Sequence, residues 1–450
     1  MCSVFEADVD TNGLMEEKNR QEITGKMCRK CSQVKADVNL RVKDAYCREC
    51  FLLTCTHKFR AELGKSKLMR AHDHGLVAHS GGQSSSALLH LVWAGLRGHS
   101  HKKLFFRASV LYVDEGAVLA QSLEERRRIC SDVRERVEKL GFPFYVATLS
   151  SALQRNETSD PGSELRVDPG ADAELSNLVE SARELTAKED LLQKLRNNLI
   201  VSVGEHLKCT KVFLAENCDQ IATKILANVS LGRGAQLPLD VGFCNNLRSG
   251  MQILRPLRTF SKKEVAFYNL YNKLETVTIP SLQTKLDSHA SIQRLTERFV
   301  AELQENFPAT VSTVFRTGDK LAGQRCHEAD ESCALCQGCL DTKEQQSSAL
   351  QATNFSRLVS TLGPSGFAGG SVEASPAAGN VRPAGDSCEC SGRCSPGVSR
   401  QDVNHALCYG CRLIVNSMAV LDHLPQNVLS TARKKVALGE MRKEIENFLL

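Results

Sequence analysis

Four cysteines stand as two C-x2-C pairs, Cys28/Cys31 in CRKC and Cys47/Cys50 in CREC, with 15 residues between the pairs. A C-x2-C knuckle turns two sulfurs to the same side, and two knuckles joined by a loop surround one tetrahedral ion. The spacing predicts structural zinc in a closed site, with no open position for catalysis. A second group comprises CALCQGC (Cys333, Cys336, Cys339), CECSGRC (Cys388, Cys390, Cys394) and CYGC (Cys408, Cys411). Its two clear knuckles, Cys333/Cys336 and Cys408/Cys411, are expected to form a second zinc site. Cys339, Cys388, Cys390 and Cys394 stand as competing ligands, and unpaired surface thiols are the alternative.

The stretch GLVAHSGGQSSSALLHLVWAGLRG, residues 75 to 98, has another chemistry. An apolar entry leads into Ser80-Gly81-Gly82, then Ser84 and Ser85, then an apolar helical pattern. Glycines let a backbone turn sharply and approach an anion, and a helix start offers free N–H groups to it. The loop carries no charge and lacks the G-x4-G-K-[ST] pattern. On its own it reads first as an ordinary glycine-rich strand-to-helix turn with serine caps, and only second as a phosphate cradle.

Elements must exist to hold these groups. The chain has 450 residues, 42% hydrophobic and 24% charged, which predicts a globular protein of two or three folding units. A net charge of +5 is too mild to argue nucleic-acid binding alone. No apolar run reaches transmembrane length, and the first residues match neither a signal nor a transit peptide, so the expectation is cytoplasmic with no membrane. In that compartment 19 cysteines imply metal ligands or free thiols rather than disulfides.

Between the cysteine groups, apolar runs alternate with amphipathic ones. Strands are expected at HGLVAHS, 107–116, 142–150 and 209–217, a strand and turn at 251–261, and helices at 84–97, 122–141, 175–207, from Asp219 to about Val229, and from near Lys262. This predicts an α/β domain on a parallel sheet, with ligands at the carboxyl ends of its strands. The expected layout is a disordered stretch at 1–25 and a four-cysteine zinc knuckle at 26–60. An α/β domain at 70–320 follows, with a flexible insertion at 155–174. A C-terminal zinc unit spans 326–450, with a disordered insertion at 340–400 rich in Gly, Pro, Ala and Ser. The end, 429–450, reads as a basic amphipathic helix broken near Gly439.

The SGG loop with its hydroxyls, the VDEG at Val113 to Gly116, ATKILAN at 222–228 and RPLR at 255–258 together resemble the PP-loop ATP pyrophosphatases that thiolate tRNA. The resemblance implies a PP-loop (adenine nucleotide alpha hydrolase-like) domain flanked by zinc knuckle units. It places nucleotide contacts, in degenerate form, at Ser80, Gly81, Gly82, Ser84, Ser85, Asp114, Asn217 and Asp219.

The departures are as informative. Ser84 stands where the family has Asp, and AENCDQ, with Glu216 and Gln220, replaces its His and second Asp. Arg255 stands where a third cysteine would precede the PLK-like segment, and no C-x2-C occurs between Cys50 and Cys333. Cys130, Cys209, Cys218 and Cys244 are expected in the core. These losses imply a non-catalytic subunit, with ATP binding left open.

Its function, by resemblance, is wobble-uridine 2-thiolation of tRNA Lys, Glu and Gln. The implied partners are a catalytic PP-loop subunit in a heterodimer, tRNA, and a ubiquitin-related thiocarboxylate sulfur carrier. Lys58, Arg60, Lys65, Lys67, Arg70, Arg255 and Arg258 are the expected tRNA contacts. The alternatives are an active ATP-dependent tRNA sulfurtransferase, or a zinc-stabilised scaffold without tRNA.

Overall fold

The computed structural model describes residues 26–448 except 41–43, 98–102, 154–160, 248–249, 281, 283–289, 308, 322–331 and 341–398. The expected disorder at 1–25, nearly all of the 340–400 insertion, and Cys388, Cys390 and Cys394 lie outside the described residues.

A two-stranded antiparallel ribbon, β1 (Val38–Asn39) and β2 (Ala45–Tyr46), connects the first two knuckles and leads into α1 (Arg48–Ser66). The alternating region follows: β3 (His74–Ala78), α2 (Gln83–Arg97), β4 (Arg107–Asp114), α3 (Leu123–Lys139), β5 (Phe144–Thr148), α4 (Pro169–Ser181), α5 (Leu185–His206), β6 (Lys211–Phe213) and α6 (Cys218–Ser230). Then come α7 (Leu237–Val241), β7 (Cys244–Asn246), β8 (Gln252–Leu254), α8 (Lys262–Tyr271), α9 (Ile292–Asn306) and α10 (Thr310–Asp319). Three further helices, Arg400–His405, Tyr409–Ser417 and Gln426–Phe448, carry the second pair of knuckles and the end of the chain.

The six-stranded sheet has the order β5-β4-β3-β6-β8-β7. All its pairings are parallel except β7 on β8, an antiparallel edge that the apolar pattern did not announce. The chain runs outward from β3 to β5, then returns to place β6 on the other side of β3. That reversal opens a crevice between the ends of β3 and β6, where such folds bind ligands.

Alternation along the strands divides the core. Leu76, Leu111, Val212 and Ile253 face a layer formed by α4, α5 and the C-terminal cysteine unit. Val77, Val110, Phe213 and Leu254 face α1, α2, α3 and α8. Each of these eight side chains is almost fully buried.

Two local expectations are corrected. The second half of the 155–174 insertion is ordered: Asp168 caps Gly170 N, Pro169 starts α4, and Ala171, Leu175, Leu178 and Val179 bury into the core. The last helix runs unbroken through Gly439, because a single glycine costs only about 1 kcal/mol inside a helix. No helix among the described residues is long and apolar enough to cross a membrane.

Candidate functional site

The crevice is a half-open cleft of about 630 Å³, lined by the loop after β3, the loop after β6, and residues of α5 and α9. Gly81 takes a φ of +76°, which a side chain would resist, and its carbonyl accepts Val277 N at 2.9 Å. Ser80 Oγ donates to Ser85 Oγ at 3.3 Å, and Ser85 Oγ donates to the Gly82 carbonyl at 3.0 Å. Beneath the loop, His79 is buried with Nδ1 unpartnered among the described residues, and burial holds its pKa down to about 4.

Of the expected nucleotide positions, Ser80, Gly82, Ser84, Ser85, Asn217 and Asp219 line the cleft. Gly81 shapes its turn from behind. Asp114 points away, because side chains alternate along β4, so Val113 and Glu115 face the cleft instead. Asp114 Oδ2 pairs with Arg126 at 2.5 Å, and Arg126 also holds Asp172 at 2.6 Å, in a buried ion network. Gly116 has room for no side chain there: a Cβ would lie 2.4 Å from Arg126 Cγ.

The departures from the family pattern are joined to one another. Asn217 Nδ2 donates to Ser84 Oγ at 3.1 Å. The Asn217 side chain accepts Gln220 N, and the Gln220 side chain accepts Asn217 N, a capping box that starts α6. Glu216 binds Lys224 at 2.5 Å and Arg255 at 2.6 Å. Burial opposes its charge, but the two cations outweigh that and hold the carboxyl down to about 2. So Glu216 neutralises Arg255, two residues that depart from the resemblance. Asp219 accepts Lys262 N at 2.6 Å, and Glu115 pairs with Arg196.

No cysteine among the described residues lines the cleft. Burial pushes the Cys130 and Cys209 thiols up to about 11, and raises Cys218 and Cys244 also, which disfavours a reactive thiolate at each.

The sulfurs of Cys28, Cys31, Cys47 and Cys50 all lie within 4.8 Å of one another, as do those of Cys333, Cys336, Cys408 and Cys411. Cys31 to Cys47 is 3.9 Å and Cys336 to Cys408 is 3.6 Å. Sulfurs bound to a tetrahedral zinc at about 2.3 Å stand about 3.8 Å apart, so both sets fit such an ion. Burial opposes charge on Cys28, but backbone N–H groups of Cys31, Cys47 and Lys30 hold its thiol down to about 6. Contacts with Cys333, Cys336 and Cys411 lower Cys408 strongly. Neighbouring cysteines in turn raise Cys50 and Cys411, so without a metal each set favours only part of the four thiolates that a metal such as zinc would take. Cys339 lies outside the second set.

The basic residues separate. Arg60, Lys67 and Arg70 line one groove beside α1. Lys58 turns to Glu264 at 2.7 Å, and Lys65 is exposed elsewhere. Arg255 and Arg258 are each only 4% exposed, and Arg258 binds Asp319 at 2.8 Å and the Val241 carbonyl. As tRNA contacts these two need correction: they are interior braces out of reach of phosphate. RPLR reads as a basic surface motif in one dimension, and only packing by α7 and α10 shows otherwise.

A family model described as cytoplasmic tRNA 2-thiolation protein 2 matches residues 291–413. Cytoplasmic tRNA 2-thiolation protein 2-A of Xenopus laevis is 36% identical over 487 residues, covering 95% of this chain and 94% of the relative. The Homo sapiens protein 2 is 33% identical over 488 residues, covering 94% and 93%. Among solved structures, the U34-tRNA thiolase NcsA from Methanococcus maripaludis with its [4Fe-4S] cluster aligns with a TM-score of 0.50. It is 16% identical, covering 70% of this chain and 92% of that one, which shows the PP-loop thiolase fold. With that fold, its two four-cysteine sets and identity above 30% across nearly its whole length, the chain belongs to the cytoplasmic tRNA 2-thiolation protein 2 family.

Proposed function

We propose that this chain is a non-catalytic subunit of cytoplasmic wobble-uridine 2-thiolation, paired in a heterodimer with a catalytic PP-loop homologue. One observation carries this reading: the residues that stand at the departures from the family pattern are engaged by one another and by neighbouring cations. Ser84 is taken by Asn217, Asn217 by Gln220, and Glu216 by Lys224 and Arg255. Among the described residues, Glu115 and Glu216 are held by cations, Ser84 offers no carboxylate to hold magnesium against a triphosphate, and no cysteine is placed in the cleft to carry sulfur. The loop keeps its shape without the groups the reaction uses.

The two cysteine sets would hold zinc as internal crosslinks, with all four positions taken by protein. The substrate is tRNA, of the Lys, Glu and Gln acceptors. Arg60, Lys67 and Arg70, with Lys58 and Lys65 at the margin, contribute phosphate contacts that position it without reading its sequence. Sulfur reaches the partner's site from a ubiquitin-related thiocarboxylate carrier.

The test is pyrophosphate release from ATP with tRNA present. The purified chain should release none, the pair with its catalytic homologue should release it, and Ser84→Ala in this chain should leave the pair's rate within about twofold. Release by the chain alone would overturn the proposal.

A further inference from the structure

A groove of about 760 Å³ runs along the outer face of α1. Its walls bring together five cations from three segments: Lys30 from the first knuckle, Arg60 and Lys67 on or next to α1 with Arg70 after it, and Lys103 before β4. Spacings of three and four residues place Leu53, His57, Arg60, Gly64 and Lys67 on one side of the helix, with Phe51, Cys55 and Phe59 buried on the other. No acidic residue among the described residues lines the groove.

Several cations elsewhere are paired, as in Lys58–Glu264 and Arg126–Asp114. None of these five has a carboxylate partner among the described residues, and Arg60 Nε is buried without an acceptor. Gathered like charges without counter-charges disfavour the folded state and favour binding of an anion. The floor is not polar. Leu53 and Phe105 are 61% and 64% exposed, and Met69 and Leu104 complete an apolar surface around Phe105.

We infer that this groove holds a single-stranded segment of RNA, with phosphates on Lys30, Lys67, Arg70 and Lys103 and an unpaired base stacked on Phe105. Single strands are held in this way, by a basic channel that tracks the backbone and aromatic faces that take bases. A duplex offers phosphates but no free base face for Phe105. An acidic peptide offers charge but nothing planar. The inference rests on the tRNA reading above and makes it specific: the occupant is an unpaired part of the tRNA, and Lys30, Lys103 and Phe105 join the contacts.

The experiment measures binding of an anticodon stem-loop by the full chain in complex with its catalytic homologue, across a salt series. A blunt RNA duplex and polyglutamate serve as competitors. Phe105→Ala should weaken stem-loop binding about tenfold with an unchanged salt slope, and Phe105→Tyr should restore it. Lys67→Ala/Arg70→Ala should lower the slope of log K against log salt by about 1.5. Wild-type affinity in Phe105→Ala would overturn the inference. So would displacement of the stem-loop by polyglutamate as readily as by RNA, which would assign the groove to an acidic protein. Co-purification with the partner shows that each variant is folded. Pyrophosphate release by the chain alone would sink the non-catalytic reading without changing these affinities, so the two failures are distinguishable.

Discussion

In both cysteine sets the second knuckle straddles a helix start. Cys47 precedes α1 and Cys50 lies in its first turn; Cys408 precedes the helix Tyr409–Ser417 and Cys411 lies in its first turn. In both, the first knuckle closes on a residue in the left-handed region. Ser32 (φ 55°) donates its N–H to the Cys28 carbonyl at 2.8 Å, and Gln337 (φ 59°) donates to the Cys333 carbonyl at 2.9 Å. The surroundings differ. The first set forms a small cluster of its own with Tyr46, beside exposed Met27 and Val34. The second is continuous with the core under the sheet, where Leu335, Leu407 and Ile414 are buried and Asn198 of α5 donates to the Leu335 carbonyl at 2.6 Å. The same local geometry therefore serves two ends. One site holds together a surface appendage that carries Lys30 to the RNA groove. The other anchors a layer of the domain.

That contrast can be broken by mutation. Cys408→Ser/Cys411→Ser should cost the most, lowering the thermal midpoint by roughly 10 °C or more, because the metal's binding energy is part of the core's folding energy. Cys28→Ser/Cys31→Ser should lower it by less than half as much in the same scanning calorimetry. Equal losses would erase the distinction.

Glu216→Gln sets a scale outside both sets. It leaves Arg255 and Lys224 charged beside a neutral amide, at a cost of about 2–3 kcal/mol, reduced from a fully buried pair because Glu216 is partly exposed. Chemical denaturation should place this loss between those of the two cysteine sets.

Metal analysis of the native chain should find two zinc ions, the first yielding to chelator sooner. That first release should weaken tRNA binding severalfold while far-ultraviolet circular dichroism changes little. Release of the second should unfold the sheet.

The smallest effect is a pH dependence centred on His79. The unfolded chain takes up this proton near pH 6.5 and the folded chain only near 4, so the unfolded state holds more protons in between. Its share of stability is full above pH 6.5 and is lost as pH falls toward 4. His79→Gln should flatten that window, read as the difference from the parent midpoint at each pH, whereas Glu216 acts from about pH 4.5 down to 2.

Both cysteine sets were legible in sequence because a C-x2-C knuckle is a contact four residues long; its geometry travels with its spacing. The alternation of strands and helices was legible for the same reason, and so was the glycine turn at Ser80–Gly82. What sequence missed depends on distant partners. The helices α9 and α10 went unread, although α9 lines the cleft and α10 covers Arg258. Asp114 was read as a ligand until Arg126, 12 residues on, claimed it. Arg255 was read as basic surface, and Glu216, 39 residues earlier, made it an interior brace. The groove needed Lys30 and Lys103 on opposite sides of α1 in sequence, brought to one surface only when the knuckle and the segment before β4 pack against that helix. Spacing determines which atoms can meet locally. Whether a charge ends in water, in an ion pair or in a binding groove is set by the dielectric and the neighbours that packing supplies, and those belong to the tertiary structure.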